Sequence, residues 1–411
     1  MWVRATLFSI LAIVTALAGL LFSPYIPQDL PTKIGADAVG HILSILAASM
    51  LSVTTFSLGI MVSAYSAAAN NVTPRATQLI VEDSTTQNVL STFIGSFLFS
   101  LVSIIVLSTG AYGSRGRVIL FGVTLAIVVL IVITLLSWIN HLSRLGQVIS
   151  TTQKVEEATC AAMRRYKERP NLGCHRLEND VFETSSRRPI YGTKIGYIQH
   201  IDLSALAKAA RQKSVSVYIT GLPGHFVEPA QPIAWVDALP PGSEDTDQAD
   251  DFNARFADGF TISQTRSFDQ DPRFGMCVLA EIASRALSPG LNDQGTAIDI
   301  IGRAVRIFSI WAQTEEHPEE ELLYPELYLL PIRDADLFDD IFMPIARDGA
   351  SILEIAMRLQ KAYRSLKHMD AARYQAIAKR HSDLSLTRFL HGGSIEADTQ
   401  IVKKLAAEVS A

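Results

Sequence analysis

Val118–Ile139 reads VILFGVTLAIVVLIVITLLSWI and contains no Asp, Glu, Lys or Arg. A helix needs about 20 apolar residues to cross the roughly 30 Å hydrocarbon core of a bilayer. Every peptide group in such a stretch has to find its hydrogen-bond partner within the segment, so the stretch is expected to be a membrane-spanning helix. Upstream of it, residues 6–22, 42–69 and 89–109 share the same charge-free, apolar character. After residue 141 the chain turns polar and carries charge of both signs. The expected fold is a membrane all-α four-helix N-terminal bundle over residues 1–141. A helical connector (142–187), a soluble α+β domain (188–311) and a helical C-terminal region (312–411) are expected to follow it.

The rest of the composition narrows the function. The chain has 411 residues, 48% of them hydrophobic, and a formal charge of −5; its pI is near 6.0 and its mean hydropathy +0.23. That charge balance argues against nucleic acid as a partner. The three cysteines, Cys160, Cys174 and Cys277, have no metal-site spacing, and their odd number fits a reducing compartment better than a disulfide framework. No metal and no cofactor is expected. Arg4 followed by an apolar run and Ala16-Leu17-Ala18 imitates a secretory signal, but the length of the run and the three spans after it favour an uncleaved first helix. Arg4, Arg75 and Arg144 on one side against Lys33, Arg115 and Arg117 on the other barely set the orientation. The free cysteines turn the expectation towards a cytoplasmic soluble domain.

Small and hydroxyl residues form stripes within the spans. Ser49, Ser52, Thr55, Gly59, Ser63 and Ser66 recur at steps of three or four along the second span, and Thr92, Ser96, Ser100 and Ser103 do so along the third. Such stripes let helices approach closely and bond across the contact; the sharper alternative is that one of them lines a water-filled path in a homo-oligomer. The missing intramembrane charge argues against a proton relay or voltage sensor. In the loop that follows the second span, Thr73-Pro74-Arg75 and Glu82-Asp83 could grip a partner, although solvated loop charges explain them as well.

In the soluble part, a helix should run to about Glu168, ahead of Pro170, either as a stalk or lying back on its own domain. Tyr197–Asp202, Ser214–Thr220 and Pro232–Val236 have strand character, the second through alternation of Val215, Val217 and Ile219. With the turn Gly221–Pro229 they suggest a small barrel-like β unit resembling the lipoyl and biotinyl carriers, without the lysine that carries a cofactor there. His225 in that turn is expected to be solvated or capping. Residues 240–255 read as a mobile loop, and Glu315–Glu321 as a solvated acidic run. Helices are expected near 337–345, 350–366, 370–382 and 395–409.

The densest polar set is Arg266, Asp271, Arg273, Glu281, Arg285, Asn292 and Asp293. Asp271 before Pro272 marks a helix start, and Asn292 or Asp293 should cap the next helix. Glu281 and Arg285 stand at i,i+4 and can pair. Caps and ion pairs account for these residues without further assumption; the functional alternative is a site for a small anionic ligand. No catalytic residue is assigned, since neither a phosphate-binding glycine loop nor a zinc-protease or serine-nucleophile motif occurs.

The stretch Asp271-Pro272-Arg273-Phe274-Gly275 through Ala286-Leu287-Ser288-Pro289-Gly290-Leu291-Asn292-Asp293 resembles the domain of unknown function 2254 family of predicted bacterial membrane proteins. Pro74-Arg75, the Tyr197–Asp202 strand and the four spans are similar too. The resemblance implies a multi-pass protein of the bacterial inner membrane and no particular reaction. The hydroxyl stripes and the long connector, not the resemblance, lead to the expectation of an oligomeric channel-like or transport-related protein with a cytoplasmic sensing domain, its partners being the lipid bilayer, further copies of itself and a small anionic ligand. The alternative is a membrane-anchored scaffold without transport activity.

Overall fold

The computed structural model describes residues 2–21, 36–81, 83–109, 116–178, 187–237, 249–313, 322–393 and 395–411. Phe22, Lys33, Glu82, Arg115, residues 240–248 of the expected loop and the acidic run 315–321 lie outside them. The chain divides into two compact units, Met1–Thr151 and Thr152–Ala411.

The first unit is helical: α1 (Trp2–Leu21), α2 (Ala36–Asn71), the short α3 (Thr77–Val81), α4 (Ser84–Ser108) and α5 (Gly116–Leu142). Among the described residues, three stretches are long and apolar enough to cross a membrane, Ala38–Asn70, Thr77–Ser108 and Gly116–Leu142; α1 contributes the shorter apolar run Thr6–Gly19. Polarity here is reversed relative to a water-soluble bundle. Ser96, Ser100, Ser103 and Thr124 are buried, whereas Phe56, Val62, Ile105, Ile133 and Leu136 are exposed, as expected for helices solvated by acyl chains. Inside, Phe93, Phe99, Leu120, Ile127 and Trp138 pack into one core. Gly95 lies so close to Phe8 that a Cβ would fall 2.3 Å from its ring, which is how small residues let α1 and α4 approach.

Several polar groups inside this unit are satisfied locally, whereas the buried hydroxyls of Ser96 and Ser103 have no hydrogen-bond partner among the described residues. Buried Trp138 donates from Nε1 to the Ser57 hydroxyl at 2.9 Å. Asp83 caps α4 by accepting from the Thr86 amide at 2.9 Å and lies 3.1 Å from His141 Nε2. The His141 ring stacks on Trp138.

Into the second unit runs α6 (Val148–Glu168), ended by Pro170. Its later turns lie back on the soluble fold instead of standing as a stalk: Glu156 accepts from Arg303 at 2.5 Å and from Arg306 at 2.7 Å. Next come β1 (Cys174–Arg176), β2 (Arg187–Tyr191), β3 (Gly196–Ile201), α7 (Leu203–Lys213), β4 (Val217–Ile219), β5 (Phe226–Val227), β6 (Pro232–Asp237), α8 (Ala249–Ala257) and β7 (Phe260–Ser263). After these come α9 (Pro272–Ala286), α10 (Gln294–Ala312), β8 (Tyr324–Leu329), α11 (Asp334–Asp348), α12 (Leu353–Met369), α13 (Ala371–His391) and α14 (Glu396–Ser410).

No barrel closes among the described residues. The strands make two open sheets, one ordered β1-β8-β4-β6-β2 and one ordered β5-β3-β7. The expected barrel-like unit is corrected for a physical reason: β4 pairs with β6 while β3 pairs with β5 and β7 in the other sheet, and the free edge of β4 is taken by β8, which arrives from far along the chain and also pairs with β1. A second correction concerns the loop expected over 240–255, whose residues 249–255 belong to helix α8. Phe252 and Phe256, one turn apart, are buried in the sheet core beside Leu206, Ile219 and Val236. The C-terminal helices surround a second, aromatic core in which Phe308, Phe338, Phe342, Tyr363 and Tyr374 meet ring to ring.

Candidate functional site

β4 and β8 run parallel with Ile219 opposite Leu329, and the pairing continues one step as the Leu330 amide donates to the Ile219 carbonyl at 3.1 Å. Beyond that point the two chains part. The segment after β4 turns back into β5 of the other sheet, and the segment after β8 enters α11. Diverging connections at the carboxyl ends of neighbouring parallel strands leave a crevice, the usual place for ligands in sheets of this kind. Here it measures about 740 Å³ and is lined by parts of two segments, within 220–231 and 330–336, together with Arg266, Asp271 and Arg273.

Asp271 is the buried anchor of this crevice. Its carboxylate takes two hydrogen bonds from Arg266, from Nε at 2.8 Å and from Nη2 at 3.0 Å, and caps α9 through the Phe274 amide at 2.9 Å. Burial pushes the Asp271 carboxyl upward, with Arg266 pulling the other way. Over this pair lies the turn Gly221–His225. Gly224 has φ +88°, and a Cβ there would sit 2.1 Å from Asp271 Oδ2 and 2.8 Å from Arg266 Nη2. Glycine is required twice, for its left-handed backbone and for the close approach.

Arg273 binds Asp340 through Nε and Nη2, at 2.7 and 3.1 Å, and Asp336 through Nη1 at 3.1 Å. Asp336 also accepts from exposed Arg333 at 2.7 Å. Bidentate geometry of this kind makes the strong ion pairs, and it fixes α9 against α11. Burial pushes the Cys277 thiol, 3.7 Å from Arg266 Nη1, up to about 12, so it stays protonated and is a poor nucleophile at neutral pH. His225 is half-buried in the crevice wall and burial lowers its pKa, favouring the neutral ring.

The seven candidate residues therefore separate. Arg266, Asp271 and Arg273 share the crevice. Glu281 lines a second cavity of about 510 Å³, with Cys277, Asp339, Asp340 and Arg388. Arg285 is exposed on α9. Asn292 (φ 50°) and Asp293 belong to the exposed link to α10, where Asp293 caps the helix by accepting from the Thr296 amide at 3.0 Å. Sequence reasoning missed Arg333, Asp336 and Asp340; the 3- and 4-residue spacing of these charges along α11 was the available signal. The stripe on α2 lies outward: Ser49, Ser52, Thr55, Gly59, Ser63 and Ser66 are all exposed in the single chain. Ser52 and Thr55 return their hydroxyls to carbonyls of their own helix at 3.0 Å.

A family model described as "Predicted membrane protein (DUF2254)" matches residues 1–365, taking in the apolar helices, the crevice and most of α12. The chain belongs to this family. Uncharacterized proteins of Mycobacterium bovis and Mycobacterium tuberculosis are each 23% identical to it over 310 residues, 74% of this chain and 57% of theirs. The chain thus matches little more than half the length of these relatives. No solved structure matches it. Its helices long and apolar enough to span a bilayer agree with the family's description as predicted membrane proteins.

Proposed function

We propose that this family member is an inner-membrane protein whose α+β unit binds a small ligand on the cytoplasmic side. The observation that carries the reading is the crevice at the carboxyl ends of β4 and β8, with buried Asp271 paired to half-buried Arg266 in its lining. The free state of Cys160, Cys174 and Cys277 supports a reducing compartment for that unit. The 20-residue length of α1 supports counting it as a fourth span. A library of metabolites screened by thermal stabilisation of the full-length protein tests this. A stabilising compound that loses its effect in Arg266→Ala, with the fold intact by circular dichroism, upholds the reading; unaltered stabilisation in that variant removes it.

The outward stripe on α2 favours a further element, association of the membrane helices with those of other copies, with transport-related activity as the result. Six small or hydroxyl residues on a face that the chain itself leaves open suit close helix contact or a lined path. Reconstituted protein should pass ions, and Ser52→Leu with Thr55→Leu should abolish the flux. Tight liposomes across salts and pH would leave the membrane-anchored scaffold as the better description.

A further inference from the structure

The crevice restricts the chemistry of its occupant through its charge balance. Arg266, Arg273 and Arg333 stand against Glu228, Asp271 and Asp336 in the lining, so a simple anion or a simple cation gains nothing from net charge. The amino end of α11, where a free anion would otherwise be drawn, already carries Asp334 and Asp336 in its first turn. The charged groups also differ in freedom. Arg266 is held by Asp271 and Arg273 by Asp340, each through two hydrogen bonds. Arg333 also gives Asp336 two hydrogen bonds, at 3.2 and 2.7 Å, but its side chain is 65% exposed, and a solvent-exposed pair of this kind is weak and exchanges readily. Glu228 is exposed on the other lining segment. The lining also carries apolar residues, Leu222, Pro223 and Phe226 from one segment and Leu330, Pro331 and Ile332 from the other.

Resting on the reading of the crevice as a ligand site, we infer that its occupant is a small apolar zwitterion, an amino acid or short peptide. Arg333 takes its carboxylate, Glu228 its ammonium group, and the apolar walls its side chain. The fixed pairs of Arg266 and Arg273 shape the base and are not displaced. Neutral His225 adds a hydrogen-bonding wall without a charge that would upset the balance.

Calorimetric titration of the full-length protein in nanodiscs tests this with four probes: L-leucine, leucyl-leucine, N-acetyl-leucine (carboxylate only) and leucinamide (ammonium only). The expected result is saturable binding of a zwitterionic probe, at least tenfold tighter than either blocked derivative. Arg333→Gln and Glu228→Gln should each weaken it tenfold or more while leaving the ligand-free melting temperature unchanged. Ile332→Trp, which fills the crevice, should abolish it. If N-acetyl-leucine or leucinamide binds as well as leucine and is lost in Ile332→Trp, the crevice remains a ligand site and the zwitterion assignment is overturned. If no probe shows binding sensitive to Ile332→Trp, the zwitterion assignment falls, and the metabolite screen with Arg266→Ala decides separately whether the crevice takes a ligand.

Discussion

Gly275 has no space for a side chain: a Cβ added there would lie 1.9 Å from the Thr159 hydroxyl of α6. Replacing it with Ala should destabilise the protein by about 1–3 kcal/mol through overpacking, read as a lower unfolding midpoint. Thr159→Ala in the same chain should recover part of the loss; independent, additive losses would show that the contact is not the cause. His381 sets a second expectation at this scale. Burial, helped by Arg380 and Arg388 and opposed by Asp339, lowers its pKa from 6.5 to about 4, so the folded state holds fewer protons on this ring than the unfolded chain. The stability it contributes is complete above about 6.5 and is lost as pH falls from there towards about 4. His381→Phe, placed among Phe338, Phe342 and Tyr363, should flatten the melting temperature across that window relative to the parent. Parallel profiles would sink this account.

Elements whose burial pattern is local were legible in the sequence, and those made by distant pairing were not. The apolar helices, the Asp271-Pro272 start of α9 and the Asp293 cap of α10 are written in neighbouring residues. β8 was hidden because Pro325 argues against a central strand. The fold tolerates it because β4 pairs only with Leu327–Leu329, and the register with β1 breaks between Tyr324 and Tyr328. The candidate site was half legible for the same reason: Arg266, Asp271 and Arg273 stand close in sequence, whereas Arg333 and Asp336 join them only once β8 is in place. In α8 the signal was present, Phe252 and Phe256 at i,i+4, but was masked by the acidic stretch before it. Phe256→Ala should cost on the order of 3–5 kcal/mol, since its ring is fully buried; a denaturant midpoint unchanged within error would mean that α8 adds nothing to the core.

At the scale of the molecule, the two hydroxyl stripes make a pair of contrasting expectations. The α4 stripe is consumed inside one chain, with Ser96, Ser100 and Ser103 buried, so Ser100→Leu should unfold or misfold the membrane unit whatever the oligomeric state. The α2 stripe faces outward, so Gly59→Leu, where nothing lies within 4 Å, should leave the single chain folded and lower the oligomeric mass measured in detergent. An unchanged mass would assign that face to lipid.

The position of β8 also governs the order in which the protein can be made. While the ribosome is producing the on the order of a hundred residues between β4 and β8, β1 and β4 have no neighbour to separate them; at 5–20 residues per second that delay lasts roughly 5–20 s. During it, two strand edges and the apolar faces of Val217 and Ile219 stand open. A nascent chain halted before Tyr324 should therefore be captured by chaperones and cut by proteases, and one released after Leu329 should resist both.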